Sequence, residues 1–575
     1  MFITMPKTKW IIKSHWLIAL LALYFGFVLN LSFWRYIHAN LELNSGQMVV
    51  FAISLLIVGF ILYSWLLLPT LVKPVAKYIV IPFLLISSAT NYLMYTLGVY
   101  IDADMIRNVV QTNTREASDF ITLTGFAWVL LTGIIPALLL ARVRIQYRPF
   151  CKELASRLTF FAVTLAVVGG FAATSYKVYA AYFRNHNEVR KILNTFNYPY
   201  ATVTYFREEA QARRSFVWLD QHAGRVPGSD TERTVLIFIL GEAARAKNFS
   251  LLGYERETNP LLSKRDIVSF STMYSCGTAT AISVPCMFSP TGSKGFDPTD
   301  AKYTQNLLDL LSETGFDVYW RENDQGCKGV CERVHSEDMV KSHNPAYCTD
   351  SYCLDDTLLA GLEDKLLGVQ KDTVIFLHTM GSHGPAYYQR YPERFKQFTP
   401  ACETADLQNC TRESIVNAYD NTILYTDYII SSAIDIAAKL SHLKIGVIYV
   451  SDHGESLGEN NIYLHGLPYA IAPEEQKHIP FVLWLSESMK RAEHIDYACL
   501  KNKAQIEHVS QDNIFHSVLG LLGVTSTLYQ PDKDIFRDCR CSALLTATME
   551  MVWTPPFPRG RNEPQGTGGL RRARY

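Results

Sequence analysis

Apolar residues divide the chain into two unlike parts. The first part, up to about residue 176, contains five long apolar runs, each close to the roughly 20 residues that span a hydrocarbon core about 30 Å thick. The runs are 16–33, 49–68, 78–97, 120–140 and 158–176. A cleaved signal peptide is an alternative for the first run, but no small-residue cleavage site follows it. Five runs in succession predict membrane-spanning helices over residues 1–177.

Basic residues between the runs orient these predicted spans. Lysine and arginine concentrate before the first run, between the second and third, and between the fourth and fifth. The positive-inside rule therefore places the N-terminus in the cytoplasm. Because the number of spans is odd, everything after Tyr176 is expected on the far side of the membrane.

Cysteine usage agrees with an oxidising compartment on that side. Of the 12 cysteines, 11 lie beyond residue 270. Short separations favour local disulfides over a zinc-binding cluster, since no CxxC pair occurs. The expected pairs are 276/286, 327/331, 348/353 and 402/410. Cys499, Cys539 and Cys541 cannot be paired from the sequence.

Two segments outside the predicted spans have distinctive compositions. Residues 178–230 are dense in tyrosine, phenylalanine and arginine, which predicts interfacial bridging helices, with a solvent-exposed linker as the alternative. Residues 546–575 are rich in proline, glycine and arginine, and we expect a disordered tail there. The formal net charge is zero, which gives no reason to expect a nucleic-acid partner.

Residues 231–545 alternate β-rich runs with helical patterns. Four continuous apolar runs have the character of strands that are buried on both faces of a sheet. They are 234–240, 373–378, 445–450 and 479–485. The sequence therefore predicts a multi-span α-helical membrane domain followed by a soluble α/β domain, with a mainly parallel sheet between helices.

Polar residues follow three of these predicted strands. The first leads into Glu242, the second into a loop with His383, and the third into the pair Asp452 and His453. In open α/β sheets, sites form outside the carboxyl ends of strands, so we expect these side chains to converge. Carboxylate oxygens and imidazole nitrogens together are typical ligands of zinc.

The segment YSCGTATAISVPCMFS, residues 274–289, offers a nucleophile for such a metal. A helix that starts at Thr278 or Ala279 would present a threonine hydroxyl where backbone N–H groups favour an anion. Bound to a metal, that hydroxyl could lose its proton near neutral pH. Thr278 and Thr280 both qualify on these grounds, and a pair of helix caps is the alternative.

Other polar residues give weaker signals. Glu455 is expected behind the metal ligands rather than among them. Structural positions are expected for His378 and His478, and solvated or paired positions on a helix for Asp420 and Asp427. Surface positions are expected for three further histidines, His335, His343 and His516.

The motifs GEAARAKN, SCGTATAISVPCMFS and SDHGESLGENNIYLHG, together with the five predicted spans, resemble a known family. It is the lipid A phosphoethanolamine transferases of Gram-negative bacteria, the EptA/LptA and mobile colistin resistance group within the alkaline phosphatase/sulfatase superfamily. The resemblance covers roughly residues 10–540. It implies an alkaline phosphatase-like catalytic domain in the periplasm, held by a multi-pass anchor in the inner membrane.

The resemblance also implies roles for individual residues. Thr280 would be the nucleophile, and the Zn²⁺ ligands would be Glu242, Thr280, Asp452 and His453. Residues that would bind substrate are His383, His465, Asn108, Thr112, Glu116 and Lys328. The family usually has serine where this chain has Gln325, which leaves that contact open.

The implied reaction moves phosphoethanolamine from phosphatidylethanolamine to a phosphate of lipid A through a covalent phosphoethanolamine-threonine. The alternatives are a phosphodiesterase or sulfatase-type hydrolase and a glycerol-phosphate transferase of the same superfamily. A non-enzymatic membrane-tethered sensor is a third class. The sequence specifies neither the oligomeric state nor which lipid A phosphate is modified.

Overall fold

The structure is a computed structural model that describes most of the chain. The described residues are 10–41, 46–70, 75–98, 101–103, 105–106, 123–212, 214–225, 232–324, 326–342, 344–349 and 352–540.

Helices that are long and apolar enough to cross a membrane make up the N-terminal part. Five such spans occur among the described residues, at Ser14–Asn40, Met48–Pro69, Ala76–Thr96, Leu123–Arg142 and Phe150–Asn185. They confirm the five predicted spans, and the fifth continues well beyond the predicted run. Large apolar side chains such as Leu123 and Leu131 are exposed, as lipid-facing side chains are in a membrane protein.

The helices of this part follow one another along the chain with short connections between most of them. Their bounds are α1 Ser14–Phe27, α2 Leu31–Asn40, α3 Gly46–Thr70, α4 Ala76–Leu97, α5 Leu123–Val129, α6 Ile135–Arg142, α7 Phe150–Asn185, α8 Val189–Ile192 and α9 Asn197–Ala212. A 3₁₀ turn at Val28–Asn30 joins α1 to α2, and a π-helical turn at Leu130–Ile134 joins α5 to α6.

Buried polar groups tie the segment after α8 to these helices. Asn194 donates from Nδ2 to the carbonyl oxygens of Leu29 and Ser87, each at 2.7 Å. The Asn194 backbone N–H donates to Asn30 Oδ1 at 2.9 Å. Buried polar atoms need such partners where water is excluded. Residue 194 is therefore packed among the helices of the apolar part.

A seven-stranded sheet forms the centre of the second part. Its strands are β1 Thr234–Gly241, β2 Val268–Ser269, β3 Asp317–Glu322, β4 His335–Asp338, β5 Thr373–His378, β6 Lys444–Ser451 and β7 Phe481–Leu485. The spatial order is β2-β7-β6-β1-β5-β3-β4. The neighbours from β6 to β4 pair in parallel, whereas β7 pairs antiparallel with both β6 and β2.

Helices cover both faces of this sheet. They are α10 Thr280–Met287, α11 Leu307–Glu313, α12 Asp356–Leu359, α13 Leu362–Leu367, α14 Arg412–Lys439, α15 Glu487–Ala492, α16 Tyr497–Ile506 and α17 Ile514–Leu521. One apolar cluster contains Leu236 and Phe238, and a second contains Val235 and Ile237. Alternate residues of β1 thus serve opposite faces, so the sheet is buried on both sides.

Disulfides staple the loops around the sheet. The four predicted pairs form: Cys276–Cys286, Cys327–Cys331, Cys348–Cys353 and Cys402–Cys410. A fifth joins Cys499 to Cys539, which the sequence left unpaired. Cys541 lies outside the described residues, as does the segment 546–575 that we expect to be disordered.

Candidate active site at the carboxyl edge of the sheet

Four neighbouring parallel strands deliver polar residues to one edge of the sheet. Register pairs Ser451 of β6 with Gly241 of β1, and Leu240 of β1 with His378 of β5. The residues that follow β6 and β1 are therefore Asp452, His453 and Glu242, side by side. Crevices at the carboxyl ends of strands are where sites form in α/β folds.

Thr280 reaches this edge as the first residue of α10. Its Oγ1 donates to Glu242 Oε2 at 3.0 Å and lies 3.4 Å from His453 Nε2. The Thr278 hydroxyl instead donates to the carbonyl oxygen of Leu467 at 2.5 Å. Of the two threonines that the sequence left open, Thr280 is therefore the one whose hydroxyl faces the carboxylate and the imidazole.

The donor atoms around His453 Nε2 have the spacing of a metal centre. Glu242 Oε1 lies 3.4 Å and Asp452 Oδ2 3.3 Å from this nitrogen, and Thr280 Oγ1 completes the set. Ligand atoms held 2.0–2.2 Å from one ion at tetrahedral corners are themselves about 3.3–3.6 Å apart. The three distances from His453 Nε2 are thus compatible with a zinc-type ion, and Glu242, His453 and His465 form one group that could hold a metal.

Hydrogen bonds orient two of these groups toward the centre. His453 Nδ1 lies 2.9 Å from the carbonyl oxygen of Gly454, which can only accept, so a neutral His453 carries its proton on Nδ1 and turns a lone pair on Nε2 inward. Asp452 Oδ1 accepts from the backbone N–H groups of Ala243 and His453 at 3.1 and 2.6 Å. Outer partners of this kind fix metal ligands.

Unsatisfied buried oxygens also favour a cation here. Glu242 Oε1 and Asp452 Oδ2 are buried and make no hydrogen bond within the described part of the chain. Burial and the neighbouring Asp452 carboxylate raise the pKa of Glu242 well above its usual value. Because buried carboxylates need a compensating charge, the residues present fit a divalent metal.

A second group that could hold a metal shares Glu242 and adds Asp324 and His378. His378 Nδ1 lies 3.0 Å from Glu322 Oε2, while its Nε2 lies 4.0 Å from Asp324 Oδ2 and has no hydrogen-bond partner among the described residues. Asp324 was not predicted, and His378 was expected to be structural. The signal for Asp324 is its position just after β3, a strand too polar to be recognised by its apolar pattern.

His383 and His465 extend the site on its open side. The His465 ring lies 4.2 Å from the His453 ring and 5.6 Å from the His383 ring, centroid to centroid. His465 Nδ1 is 3.3 Å from Glu455 Oε2. Glu455 thus contacts a predicted substrate-binding histidine, and its expected place behind the metal ligands stays a prediction. Burial raises the pKa of Glu455 to about 8.

One glycine lets the loop after β5 approach Glu242. Gly381 has φ +49°, and a Cβ there would lie 2.7 Å from the carbonyl oxygen of Glu242. The next residue, Ser382, donates its N–H to that oxygen at 2.9 Å. The backbone therefore holds the His383 loop against the end of β1, which a side chain at 381 would prevent.

Of the other predicted substrate-binding residues, only Lys328 is described. Its Nζ lies 3.8 Å from Asp324 Oδ2, inside the loop closed by the Cys327–Cys331 disulfide. Asn108, Thr112, Glu116 and Gln325 lie outside the described residues.

Comparisons with known proteins agree with this architecture. Residues 234–524 match the sulfatase family, and residues 59–210 match the family described as phosphoethanolamine transferase EptA/EptB. Phosphoethanolamine transferase EptA of Salmonella typhimurium is 40% identical over 531 residues, covering 91% of this chain and 96% of the relative. Phosphatidylethanolamine transferase Mcr-1 of Escherichia coli is 36% identical, covering 81% and 89%.

A solved structure extends the likeness to both parts of the chain. The integral membrane lipooligosaccharide phosphoethanolamine transferase A of Neisseria meningitidis has 38% identity and a TM-score of 0.62, and the match covers 92% of this chain and 99% of that one. The fold and site define a membrane-anchored enzyme with a sulfatase-like catalytic domain and a candidate metal centre. The chain belongs to the phosphoethanolamine transferase EptA family.

Proposed function

We propose that this enzyme transfers phosphoethanolamine from phosphatidylethanolamine to a phosphate group of lipid A, and that Thr280 carries the head group between the two lipids. The observation that supports this most directly is the position of Thr280 Oγ1, 3.0 Å from Glu242 Oε2 and 3.4 Å from His453 Nε2. A hydroxyl at a helix start beside a metal-type ligand set is a group that can attack phosphorus.

The proposed cofactor is Zn²⁺, held by Glu242, Thr280, Asp452 and His453. When bound, it would lower the pKa of the Thr280 hydroxyl and offset the charge of the buried carboxylates. Two members of the set, Asp452 and His453, are oriented by hydrogen bonds to the backbone.

In the first step, the Thr280 oxygen attacks the phosphorus of phosphatidylethanolamine. The Thr280 Oγ–phosphorus bond forms as the bond from phosphorus to the diacylglycerol oxygen breaks, and one proton passes from the threonine hydroxyl to the departing diacylglycerol. Glu242 Oε2 orients the hydroxyl before attack. His383 and His465 lie where one could protonate the leaving oxygen and either could hold a phosphoryl oxygen.

In the second step, a phosphate oxygen of lipid A attacks the same phosphorus. The bond to Thr280 breaks, the threonine oxygen recovers a proton, and the head group remains on the acceptor. Masking a phosphate with an amine lowers the negative charge of the surface, which weakens the attraction of cationic peptides such as polymyxins.

The anchor makes physical sense for this reaction. We place the helices in the inner membrane and the catalytic domain at its periplasmic face. Both lipid substrates lie in the plane of the membrane there, so they reach the site by diffusion in two dimensions rather than three. Asn108, Thr112, Glu116 and Lys328 are proposed to bind lipid substrate. No nucleic-acid partner is proposed.

Intact mass spectrometry of the purified chain tests the threonine intermediate. The wild type should carry an adduct with the mass of phosphoethanolamine on Thr280, and Thr280→Ala should lose both the adduct and transfer. Thr278→Ala is the matched control, because its hydroxyl faces Leu467, and it should keep the adduct. An unmodified protein that only hydrolyses soluble esters would favour a hydrolase, and a glycerol-phosphate adduct would favour the other transferase.

A further inference from the structure

The end of helix α7 contacts the catalytic domain on one side, while Val178 and Tyr182 pack against α2 and α3 on another. The helix departs from helical geometry at Ser175, with φ −123° and ψ 16°. Beyond this point Lys177 Nζ donates to the carbonyl oxygen of Cys410 at 2.6 Å, and Asn185 Nδ2 donates to that of Ala405 at 3.2 Å. Ala181 is fully buried in the apolar cluster that contains Tyr463. The last ten residues of α7 thus connect the membrane helices to the catalytic domain.

One side chain of this docked segment enters the candidate site. Arg184 Nη2 lies 3.4 Å from His383 Nε2 and forms a hydrogen-bonding contact with the ring nitrogens of His465. The His465 ring lies 4.2 Å from the His453 ring, and His453 Nε2 is 3.4 Å from the Thr280 oxygen. Two side chains, His465 and His453, therefore separate the Arg184 guanidinium from the Thr280 hydroxyl. The guanidinium lies on the open side of the predicted metal ligands.

Arg184 is not committed to a structural ion pair. Among the residues that the structure describes, no carboxylate forms a salt bridge with it, and only Nη2 is engaged in hydrogen bonds. The guanidinium is partly exposed, so its Nε and Nη1 donors remain free for a ligand.

The charge of the site explains why an arginine is needed there. Four carboxyl groups, Glu242, Asp324, Asp452 and Glu455, lie in or beside it, and those that are ionised repel an anionic phosphate. A guanidinium matches the two non-bridging oxygens of a phosphodiester in a bidentate way that an imidazole does not. Resting on the proposed function, we infer that Arg184 binds the non-bridging phosphate oxygens of the group being transferred, so that a residue from the membrane-anchoring helix completes the catalytic site.

Kinetics of the full chain in detergent micelles test this inference. The donor would be phosphatidylethanolamine with a fluorescent acyl chain, and the readouts would be released fluorescent diacylglycerol and the Thr280 adduct. Arg184→Gln should lower kcat/KM by about 10- to 100-fold, and Arg184→Lys should retain an intermediate value. Arg190→Gln is the matched control, because Arg190 is exposed and bonds only to Asn187 within the described residues. It should stay within twofold of the wild type.

Chemical rescue separates binding of phosphate from mere docking of α7. Added guanidinium ion at millimolar concentration should restore activity of Arg184→Ala several-fold, and should leave Arg190→Ala unchanged. An Arg184→Gln enzyme within twofold of the wild type overturns the inference, as does an inactive Arg184→Ala that guanidinium does not restore. If Thr280→Ala were as active as the wild type, the proposed function itself would fail, whatever Arg184 does.

Discussion

His516 is a buried histidine, although a surface position was expected for it. It lies in α17 with no exposed surface, and its Nδ1 accepts a hydrogen bond from the N–H of Gln530 at 3.2 Å. Burial, reinforced by the positive charge of Lys533, lowers the pKa of His516 to about 4. The folded protein therefore holds this ring neutral over most of the acidic range.

This burial predicts a loss of stability in mild acid. An unfolded histidine has a pKa of about 6.5, so between pH 6.5 and 4 the unfolded chain takes up a proton that the folded chain refuses. The stabilisation is complete above pH 6.5 and should fall by up to about 3 kcal/mol as the pH drops to 4. His516→Asn, which can still accept from Gln530, should flatten this dependence.

Thermal unfolding of the two proteins at pH 7 and pH 5 measures the effect. His335→Asn is the control, since the His335 side chain is 61% exposed. Equal slopes for wild type and His516→Asn would contradict the assignment.

Burial of single polar residues depends on partners that are distant in sequence. Asp427 was expected to be solvated or paired with a charge. It is fully buried and accepts from the backbone N–H groups of Leu261 and Leu262, at 2.8 and 3.0 Å. Asp420, in contrast, pairs with Arg256 at 2.9 Å, as one of the two expected alternatives. Helical periodicity places both residues on α14. It cannot predict which segments, 160 or more positions away in the sequence, will provide their hydrogen-bond partners.

One buried glutamine links helix α10 to the end of β6. Gln511 Nε2 donates to the carbonyl oxygens of Ser451 and Asp452 at 2.9 and 2.7 Å, at the end of β6. Its Oε1 accepts from the N–H of Cys276 and from Ser283 Oγ, both at 2.7 Å. A single amide therefore links the helix that carries Thr280 to the strand that carries the proposed metal ligands.

Replacing this amide should weaken the link between helix α10, which carries Thr280, and the end of β6. Gln511→Leu removes one hydrogen-bond partner from four groups, although Ser283 Oγ and the Asp452 carbonyl oxygen still bond to each other. We expect the catalytic domain to lose about 3 kcal/mol of stability. Urea unfolding monitors that loss, and mass spectrometry should show a smaller fraction of protein with the Thr280 adduct. Gln505→Leu, at an exposed position in α16, is the control and should change neither. An unchanged adduct in a destabilised Gln511→Leu would show that this link is structural only.

Apolar patterning predicted the central strands within a residue or two at each end. The run 373–378 coincides with β5, and the run 445–450 falls one residue short of β6 at each end. The pattern missed β2 and β4, which have two and four residues, because short edge strands carry too few positions to show a period. It missed β3 because that strand carries Arg321 and Glu322. Asp324 was lost from the predicted site for the same reason.

At the scale of the whole molecule, the fifth span begins as a membrane helix and ends in contact with the catalytic domain. Hydropathy alone does not separate these two environments. The apolar run 158–176 predicts a membrane helix, and it ends next to Ser175, where α7 departs from helical geometry. The following turns are more polar, and both the catalytic domain and helices α2 and α3 pack against them. The predicted boundary at residue 177, between the membrane anchor and the bridging segment, stays a prediction. Arg184 lies beyond that residue and still belongs to helix α7.

Metal binding should stabilise the whole catalytic domain, because the strands around Glu242 bring carboxylates together that repel one another without a cation. A ligand that binds only the folded state at 100 times its Kd adds about 2.7 kcal/mol, which corresponds to several degrees in Tm. Zn²⁺ should therefore raise the Tm of chelator-treated protein and restore the Thr280 adduct.

Glu242→Gln should start at an equal or higher Tm without metal, since one buried charge is gone, but gain much less from Zn²⁺. The exposed Glu413→Gln should respond like the wild type. An equal Zn²⁺ shift in Glu242→Gln would mean that the ion stabilises the protein from another site.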